Sequence, residues 1–507
     1  MSVSLWYVVA ASVAIFVYFT ERVKRTLPPG PTPIPLLGNS WQFFLGRLKG
    51  KSNVDVMREW KKTYGGVYTI WTGPLPVVVV CDYKNAIDSF QKNGDAHTGR
   101  PSTFIFNKPR ENLGISFSVG TEWVEHRRFA MQTLRKFGVG RSIMQDRILE
   151  EVAHRFEVID KRIDQNGGKY TLNPESLFNL LIGSIVNKIL AGYGYSDNDN
   201  EFCHLKQNMD IMVDCLTPLD FILFSEYTYK LPFFKSRWAV VSQPQFEVLD
   251  MLKRQIDTRK AEISSGKHQL NMKTGGNDFI DAYLIEMKQR EESGDDPGSL
   301  SEKFLAASLL DLWLAGTETT VCALLWAFIY LLNYPEVQNR VRQELLNVTN
   351  GNRPVELGDK SSLPYTSAVV TEVLRCANVL NFNLLHMTTC DTSVGDYTIP
   401  KGTAIVPQIS VIMTDNSEFQ DHLKFNPDRF LANENLEKQV VAFGVGKRAC
   451  IGESLARAEL FLIIANIIQR YKISVPEGCQ MPSMEQVSLE SVMKKARKYQ
   501  IQMERVP

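Results

Sequence analysis

Apolar residues recur at helical spacing along most of the chain. Six long segments combine this spacing with a charged face, a pattern that predicts amphipathic helices. They cover residues 147–164, 246–263, 304–332, 335–348, 365–377 and 453–471. Pro335 marks the break between the third and fourth segments, because proline is tolerated in a first helical turn but not in a helix interior. The pattern predicts a fold that is mainly α.

A smaller β part is predicted by short runs of β-branched and aromatic residues. Residues 67–71 and 77–80 flank a Gly-Pro turn and are typical of a hairpin. A second turn signal over residues 399–403 separates Tyr397 from Ile405 and predicts a second hairpin. Polar, glycine-containing stretches at 264–277 and 291–299 predict surface loops.

The N-terminus departs from this pattern, because residues 3–19 carry no formal charge. This length is near the lower limit for a helix that crosses a bilayer. Basic residues follow the run, at Arg22, Lys24 and Arg25, whereas a cleaved signal peptide has them before it. We therefore predict an uncleaved anchor over residues 1–20, with the rest of the chain on the cytosolic side.

A proline-rich stretch follows the predicted anchor, with five prolines between residues 28 and 35. Proline fixes φ and lacks a donor, so such a stretch is a semi-rigid spacer. We predict a basic and proline-rich hinge over residues 21–40 and one domain over residues 41–507, which carries the chemistry.

Composition narrows the function only slightly. The formal net charge of the 507 residues is +1, so no overall field favours nucleic acid. The eight cysteines are scattered without a CxxC pair, which indicates reduced thiols and not a disulfide framework.

The most specific chemistry lies in a loop around Cys450. Phe443, Gly446, Arg448 and Gly452 surround this cysteine within ten residues. A thiolate can bind heme iron, and a nearby cation such as Arg448 favours the deprotonated sulfur. The glycines let the backbone turn tightly, and Phe443 would cover the loop. The competing interpretation, a buried free cysteine, fits Cys450 alone but not the whole pattern.

A second polar cluster interrupts the apolar segment 304–332. Glu318 and Thr319 lie midway along it, beside Gly316. An acid in so apolar a helix is costly unless it is paired or functional. The alternative is a tolerated kink, because threonine can bond to the backbone of its own helix.

Two further pairs are weaker signals. Glu372 and Arg375 lie three residues apart on one helix face, a spacing that usually means a surface ion pair. Trp123 and Arg127 lie four residues apart, which suits anion binding by a donor pair but equally a tryptophan packed over an arginine stem.

Together, and in this order along the chain, these motifs resemble the cytochrome P-450 family of heme-thiolate monooxygenases, in its membrane-anchored microsomal form. The resemblance covers nearly the whole chain and is strongest to the animal subgroup that handles drugs, steroids and fatty acids. It implies the mainly α family fold with a smaller β part. In that fold heme b lies between a long central helix and the cysteine loop, with Cys450 as the axial ligand of the iron.

The resemblance also implies roles for individual residues. Thr319 would be the alcohol that hydrogen-bonds oxygen at the heme, and Glu318 the acid that helps to pass protons. Gly316 would leave room for heme and oxygen. Heme contacts are implied for a set of donors and loop residues, namely Trp123, Arg127, Arg100, His386, Arg448, Phe443, Gly446 and Gly452. Here the chain departs from the family, which often has proline before the histidine, where this chain has Leu385.

Glu372 and Arg375, with Arg429 as a third partner, match the structural ion network of the family. By this resemblance they would hold the backbone that carries Cys450 and take no part in the chemistry.

Partners follow from the same resemblance. No flavin or nicotinamide motif is evident in the sequence, so electrons would come from NADPH–cytochrome P-450 reductase, with cytochrome b5 as a second candidate. Lys447, Arg128, Arg135 and Lys136 would form a basic patch for this acidic partner. The implied location is the endoplasmic reticulum membrane, in contact with lipid, and no nucleic acid is expected.

The substrate is predicted only as lipophilic: a fatty acid, a steroid or a xenobiotic. Segments 216–234 and 101–115 are rich in apolar residues and predict a lid or a loop that dips into the membrane, although core packing would look similar. Two other functions stay open. One is a heme-thiolate isomerase or dehydratase that acts on a peroxide without a reductase; the other is a non-enzymatic membrane heme protein.

Overall fold

The computed structural model describes residues 25–137, 142–217, 220–294, 298–489 and 491–506, apart from residue 36, and residues 11, 14, 15, 17, 18 and 20–23. Most of the predicted anchor over residues 1–20 therefore lies outside the described residues. Among the described residues, one helix has the length and composition of a membrane span, over Glu302–Asn333, and 67% of its most apolar window is buried in the protein. Such burial is that of a core helix.

The longer helices are α1 (Ser40–Leu48), α2 (Asn53–Tyr64), α3 (Gly120–Lys136), α4 (Ser142–Gln165), α5 (Pro174–Leu190), α6 (Asn200–Asp214), α7 (Pro232–Ser264), α8 (Phe279–Ser293), α9 (Glu302–Asn333), α10 (Pro335–Thr349), α11 (Pro364–Ala377) and α12 (Glu453–Arg470). Short helical turns cover Tyr83–Ala86, Ile87–Lys92, Gly94–His97, Phe104–Asn107, Asp220–Leu223, Leu357–Ser362, Ile409–Ile412, Asp428–Ala432 and Glu434–Gln439. The strands are β1 (Val67–Thr72), β2 (Leu75–Val80), β3 (Lys169–Leu172), β4 (His386–Met387), β5 (Thr392–Val394), β6 (Tyr397–Ile399), β7 (Ala404–Pro407), β8 (Tyr471–Ser474) and β9 (Ile501–Arg505).

All six predicted helices are present, and several of their boundaries differ from the prediction; the first, predicted from residue 147, begins at Ser142. The helix predicted from residue 246 begins at Pro232 and continues through Pro244 in its interior. The last predicted helix ends at Arg470, and Tyr471 begins strand β8 instead. The aromatic and β-branched side chains of β8 pair with β9, and this non-local pairing is invisible to a helical periodicity.

The first predicted hairpin is confirmed, and the second is not. Strands β1 and β2 pair antiparallel, with Val67 opposite Val80. The turn after Tyr397 does not join paired strands: β6 pairs with β5, whereas β7 pairs parallel to β2 and antiparallel to β4. Long-range pairing therefore overrides the local turn signal.

The chain forms two compact units. Unit 1 comprises residues 1–101, 371–450 and 485–495, and unit 2 comprises residues 102–370, 451–484 and 496–507. In unit 1 the strands order as β1-β2-β7-β4. Buried Tyr68, Val77, Val79 and Val406 from this sheet pack with Met57 of α2 to form a core.

Unit 2 is built around α9. Ser301 begins the helix, because its side chain accepts a hydrogen bond from the backbone N–H of Phe304 at 3.2 Å. Apolar residues surround the helix axis and most of them are buried, as expected for a helix enclosed by other helices. Trp313 is fully buried and donates to Asn187 of α5 across 3.2 Å.

A buried ion network organises the part of unit 1 that leads to Cys450. The guanidinium of Arg375 donates to both carboxylate oxygens of Glu372, at 2.7 and 2.8 Å. Arg429 donates to the same carboxylate at 3.1 Å. The side chains of Glu372 and Arg375 have no solvent exposure, and that of Arg429 has 7%. The spacing of Glu372 and Arg375 is typical of a surface ion pair, but in this structure the pair is fully buried.

The same network holds backbone. Arg375 donates to the carbonyl oxygens of His422 at 2.9 Å and Met413 at 3.2 Å. The backbone N–H of Asn426 donates to Glu372 at 2.9 Å. Hydrogen bonds offset the cost of removing these charged groups from water. Several of the bonds come from the backbone between residues 413 and 429, so this segment must keep its conformation.

We predict that Arg375→Met will lower the free energy of unfolding by about 3–5 kcal/mol, because Glu372 would stay charged, buried and short of a partner. The matched control is Lys288→Met, which breaks an exposed pair with Glu292 whose side chains are 58% and 62% exposed. That change should cost less than about 1 kcal/mol. Urea unfolding followed by circular dichroism measures both, and equal losses would contradict the assignment.

Candidate active site

The loop that ends in Cys450 is folded by its own backbone. The N–H of Cys450 donates to the carbonyl of Phe443 at 2.9 Å, and that of Ala449 donates to Gly446 at 3.0 Å. The Cys450 residue is exposed, whereas Cys81 is fully buried and Cys376 is half-buried, and burial raises the pKa of each of these two thiols to about 12. The loop therefore exposes Cys450, so that a ligand can reach this residue.

Gly446 is required by both conformation and space. Its φ is +83°, in the region that favours glycine, and a Cβ there would lie 1.8 Å from the carbonyl oxygen of Phe90. Phe90 belongs to the helical turn Ile87–Lys92, whose π-type winding brings that carbonyl against the loop. Gly452 differs from the expectation: its φ is −94°, which any residue can adopt, so the tight turn depends on Gly446.

Three basic side chains of unit 1 lie close to one another beside this loop. The Arg448 guanidinium donates to the carbonyl oxygen of Thr98 at 2.9 Å. Arg100 donates to the carbonyl oxygens of Leu385 at 2.6 Å and Leu384 at 3.2 Å. His386 is 4% exposed. The carbonyl groups orient the guanidinium groups without neutralising them.

His386 is held neutral in this setting. Burial lowers its pKa to about 3, and the nearby charges of Arg100 and Arg448 act in the same direction. Its Nδ1 pairs with the carbonyl oxygen of His97 at 2.8 Å, so Nδ1 carries the proton of the neutral ring. His386 can donate a second hydrogen bond only as an imidazolium, which a bound anion would favour.

In unit 2, the buried helix α9 is open along one stripe. Ala315 is exposed, and Leu312, Gly316 and Thr319 are partly exposed. These positions follow the spacing of a single helix face. The Thr319 hydroxyl donates to the carbonyl oxygen of Ala315 at 2.6 Å, so its oxygen keeps lone pairs that can accept a hydrogen bond.

Gly316 contributes to helix packing as well, a role that the sequence did not predict. A Cβ at this position would meet Val186 of α5 at 3.2 and 3.6 Å. The missing side chain therefore lets α5 and α9 approach each other.

Glu318 points away from the open stripe and is 6% exposed. Its carboxylate pairs with the Lys206 ammonium of α6 at 2.9 Å. Lys206 is enclosed as well, and although burial opposes its charge, the carboxylates of Glu318 and Asp210 raise its pKa. The predicted acid of this site is thus held as the carboxylate of a buried ion pair.

Trp123 and Arg127 lie on the first turns of α3, as their spacing predicts. The indole is 5% exposed, and the Arg127 guanidinium carbon lies 5.8 Å from the centre of the ring. The pair therefore packs as a cation over an aromatic ring, and this arrangement leaves the edge of the planar guanidinium for hydrogen bonds in its own plane.

Sequence reasoning missed a second acid on α9. Asp311 forms a buried ion pair with Arg110, with side-chain exposures of 5% and 1%. The backbone N–H of Ser116 also donates to Asp311, at 2.9 Å. Arg110 lies over Phe117 at 5.3 Å. Asp311 could have been found in the sequence by the criterion that identified Glu318, because both are acids within the same apolar helix.

A third acid, Glu459 of α12, was missed for the same reason. It is 1% exposed and accepts a hydrogen bond from the Thr320 hydroxyl at 3.3 Å. Burial raises the pKa of Glu459 to about 8, and the Thr320 hydrogen bond opposes this only in part. Burial therefore favours the protonated form of this carboxyl.

The two apolar segments that the sequence singled out come together in unit 2. Ile105, Phe224 and Val241 form a buried cluster, against which further side chains pack: Phe104, Phe106, Cys215, Leu216, Tyr229, Phe234 and Trp238. The amide of Gln245 donates to the carbonyl oxygen of Ile105 at 3.3 Å. The segment after residue 102 and the start of α7 therefore form one aromatic wall.

The chain matches the family model described as Cytochrome P-450 over residues 28–503. It is 32% identical over 465 residues to Probable cytochrome P-450 cyp-35D1 of Caenorhabditis elegans, an alignment that covers 91% of this chain and 92% of that protein. It is 30% identical to Cytochrome P-450 2B9 of Mus musculus, with 94% of each chain covered. Cytochrome P-450 2B2 of Rattus norvegicus is 31% identical, with 89% of each covered.

We predict that Gly446→Ala will abolish most heme incorporation, because its Cβ would overlap the Phe90 carbonyl and displace the loop. The matched control is Gly444→Ala, whose φ is also positive, at +75°, but whose Cβ would meet nothing closer than 3.8 Å. It should bear only the left-handed strain of about 1–2 kcal/mol. The heme content per protein measures both, and equal retention would show that the close approach is unimportant.

Proposed function

The chain belongs to the cytochrome P-450 family and is a heme-thiolate monooxygenase, and we propose that it oxidises a lipophilic organic substrate with electrons from an NADPH-dependent reductase. The observation that carries the proposal is the cysteine loop: an exposed cysteine at the end of a fixed backbone turn, beside the half-buried guanidinium groups of Arg100 and Arg448, which backbone carbonyl groups orient.

The residues present fit heme. Cys450 offers an accessible soft ligand for iron, and Arg100 and Arg448 offer charge-assisted donors for carboxylate groups. In unit 2, Trp123 and Arg127 offer a second set of donors of the same kind. When bound through a thiolate, heme supplies the activation of molecular oxygen. We assign Cys450 as the iron ligand and these donors, with His386, to the propionates.

The protein itself must then handle protons. Thr319 keeps an acceptor oxygen on the open stripe of α9, and its hydroxyl can hold and hand on a proton at Oγ1. Glu318 forms an ion pair with Lys206, and its carboxylate oxygens can accept hydrogen bonds from groups in this part of the helix. A peroxide isomerase needs no such acid–alcohol pair, and a heme carrier needs neither residue, so the presence of both supports oxygen chemistry.

The substrate is proposed to be apolar and large, a fatty acid, steroid or xenobiotic. The aromatic wall of unit 2 supports this class, because such side chains bind ligands by area and exclude water.

Attachment to the endoplasmic reticulum membrane is proposed through the N-terminal anchor over residues 1–20. A second contact is supported by exposed apolar side chains near the start of α7: Phe221 at 40%, Tyr227 at 87%, Leu231 at 46% and Phe233 at 92%. Such residues on one short stretch favour a lipid interface.

For the electron donor, we propose NADPH–cytochrome P-450 reductase, with cytochrome b5 as a further partner. Arg128, Arg135 and Lys136 are exposed and lie seven and eight residues apart along α3, which places them on one face. Lys447 contributes less than expected, because it pairs with Asp95. The basic surface for an acidic partner is therefore centred on α3.

We predict that Cys450→Ser will lose the red-shifted Soret band of the ferrous–CO complex and all oxygenase activity, because an alcohol does not replace the thiolate. Cys390→Ser is the matched control, since Cys390 is also exposed; it should keep both. Product that requires reductase, NADPH and oxygen distinguishes a monooxygenase from the two alternatives. Retention of the band by Cys450→Ser would remove the ligand assignment.

We predict that Arg135→Glu with Lys136→Glu will raise the reductase concentration for half-maximal turnover by about tenfold, through slower association. Peroxide-driven turnover, which needs no reductase, should stay unchanged. Lys253→Glu with Lys288→Glu makes the same charge change at exposed sites on α7 and α8 and should have little effect. A similar fall by both routes would mean that the α3 residues support the fold instead.

A further inference from the structure

Helix α1 of unit 1 packs against the protein by one side. Gly46 lies close to α2, where a Cβ would come within 2.5 Å of the Val56 side chain. Phe43 packs against the core of unit 1, and its ring centre lies 4.9 Å from that of Trp60. This close packing determines which side of the helix faces outward.

The outward side of α1 is apolar although it is exposed. Four large side chains follow the spacing of one helix face, with these exposed fractions: Trp41 at 36%, Phe44 at 52%, Leu45 at 43% and Leu48 at 70%. Leu37, just before the helix, is 48% exposed. Single exposed apolar residues are common on protein surfaces, but a group of them on one helix face indicates a binding surface.

The chain around this face carries positive charge without negative charge. Residues 22–54 contain no Asp, Glu or His, but they contain the cations Arg22, Lys24, Arg25, Arg47, Lys49 and Lys51. The Arg47 guanidinium carbon lies 5.8 Å from the centre of the Phe44 ring, and Lys49 is exposed directly after the helix. Lys51 forms a surface ion pair with Glu59. Arg47 and Lys49 therefore place positive charge at the edge of the apolar face.

An apolar helix face beside basic side chains has the composition of a helix that lies in an anionic membrane surface. Its apolar side chains enter the boundary between headgroups and acyl chains, a depth that tryptophan favours. Each nearby lysine or arginine gains about 1 kcal/mol from anionic lipid. An acidic protein would match the charge alone, whereas a bilayer matches both the charge and the apolar side chains.

The position of α1 in the chain supports the same occupant. The predicted anchor ends at residue 20 and α1 begins at Ser40, so the chain between them spans at most about 70 Å when fully extended. The proline-rich stretch lies within this connection. A bilayer that holds the anchor is therefore within reach of α1.

We propose that α1 lies along the membrane surface and that Arg47 and Lys49 make this contact selective for anionic phospholipid headgroups. The contact belongs to unit 1, and it is separate in sequence from the anchor and from the exposed residues near the start of α7. It goes beyond the proposed function, because it concerns the choice of lipid and not the reaction.

Quenching of tryptophan fluorescence by phospholipids with brominated acyl chains tests this contact in the full-length holoprotein. The difference between wild type and Trp41→Phe isolates the emission of Trp41, because phenylalanine keeps an apolar ring at this exposed position. We expect this emission to be quenched at least about twofold more in vesicles of phosphatidylserine and phosphatidylcholine than in vesicles of phosphatidylcholine alone. Trp60→Phe is the matched control, since Trp60 lies behind α1 against Phe43; its emission should be quenched weakly and equally by both lipids.

A charge variant tests the choice of headgroup. Arg47→Gln with Lys49→Gln removes two positive charges and keeps the apolar face, so the quenching of Trp41 on anionic vesicles should fall to its level on neutral vesicles. About 1 M NaCl should have the same effect on wild type, because the Debye length is then about 3 Å. Lys267→Gln with Lys273→Gln makes the same charge change at exposed sites in the loop after α7 and should leave the quenching unchanged.

The other outcomes overturn the proposal. Equal quenching of Trp41 by both lipid mixtures would mean an apolar contact without selection of a headgroup, and equal losses in the two charge variants would mean an effect of net charge alone. Absence of quenching would mean that lipid does not cover this face. Loss of iodide access to Trp41 at rising protein concentration without lipid would assign the face to a second copy of the chain.

These measurements need no turnover, so they separate the lipid contact from the reaction. A holoprotein that forms no product with reductase, NADPH and oxygen would count against the monooxygenase function, while the quenching of Trp41 would still report on α1.

Discussion

The buried network of Glu372, Arg375 and Arg429 is the constraint on which the cysteine loop depends. Its charges are removed from water, so they are tolerable only while every one is hydrogen-bonded. Several of those bonds go to backbone groups between residues 413 and 429. Because these bonds must all be kept, they also fix the conformation of the backbone that leads to Cys450.

From that fixed path, the loop acquires its chemistry through close approach. Gly446 lets the Phe90 carbonyl meet the backbone where any side chain would overlap it. The thiol at the end of the loop remains exposed while Arg448, Arg100 and His386 collect nearby. Burial, together with the charges of Arg100 and Arg448, disfavours the charged form of His386, and a bound anion would favour that form.

Helix α9 has two roles: it is the core helix of unit 2, and it carries polar side chains of the candidate active site. Its apolar positions hold unit 2 together, yet it also encloses polar groups, each with a partner on another element: Asp311 with Arg110, Glu318 with Lys206, and Thr320 with Glu459. Asp311 and Glu318 form ion pairs, whereas among the described residues Glu459 has a hydroxyl, that of Thr320, as its hydrogen-bond partner. The neighbours of each carboxyl group therefore decide its charge: cations favour the carboxylate at Asp311 and Glu318, and burial favours the neutral acid at Glu459.

Sequence by itself determined the element types and the chemical inventory. Helical periodicity located six of the twelve longer helices, a Gly-Pro turn located the first hairpin, and the spacing around Cys450 identified the loop, because each of these signals is local. Tertiary structure alone decided the rest. Strand β7 pairs with β2, over three hundred residues away in sequence, and Gly316 packs on Val186. Likewise Lys206 fixes the charge of Glu318, and burial beside Thr320 favours the neutral form of Glu459. Pairing, close approach and pKa depend on which groups meet across long stretches of chain, and no local pattern encodes that meeting.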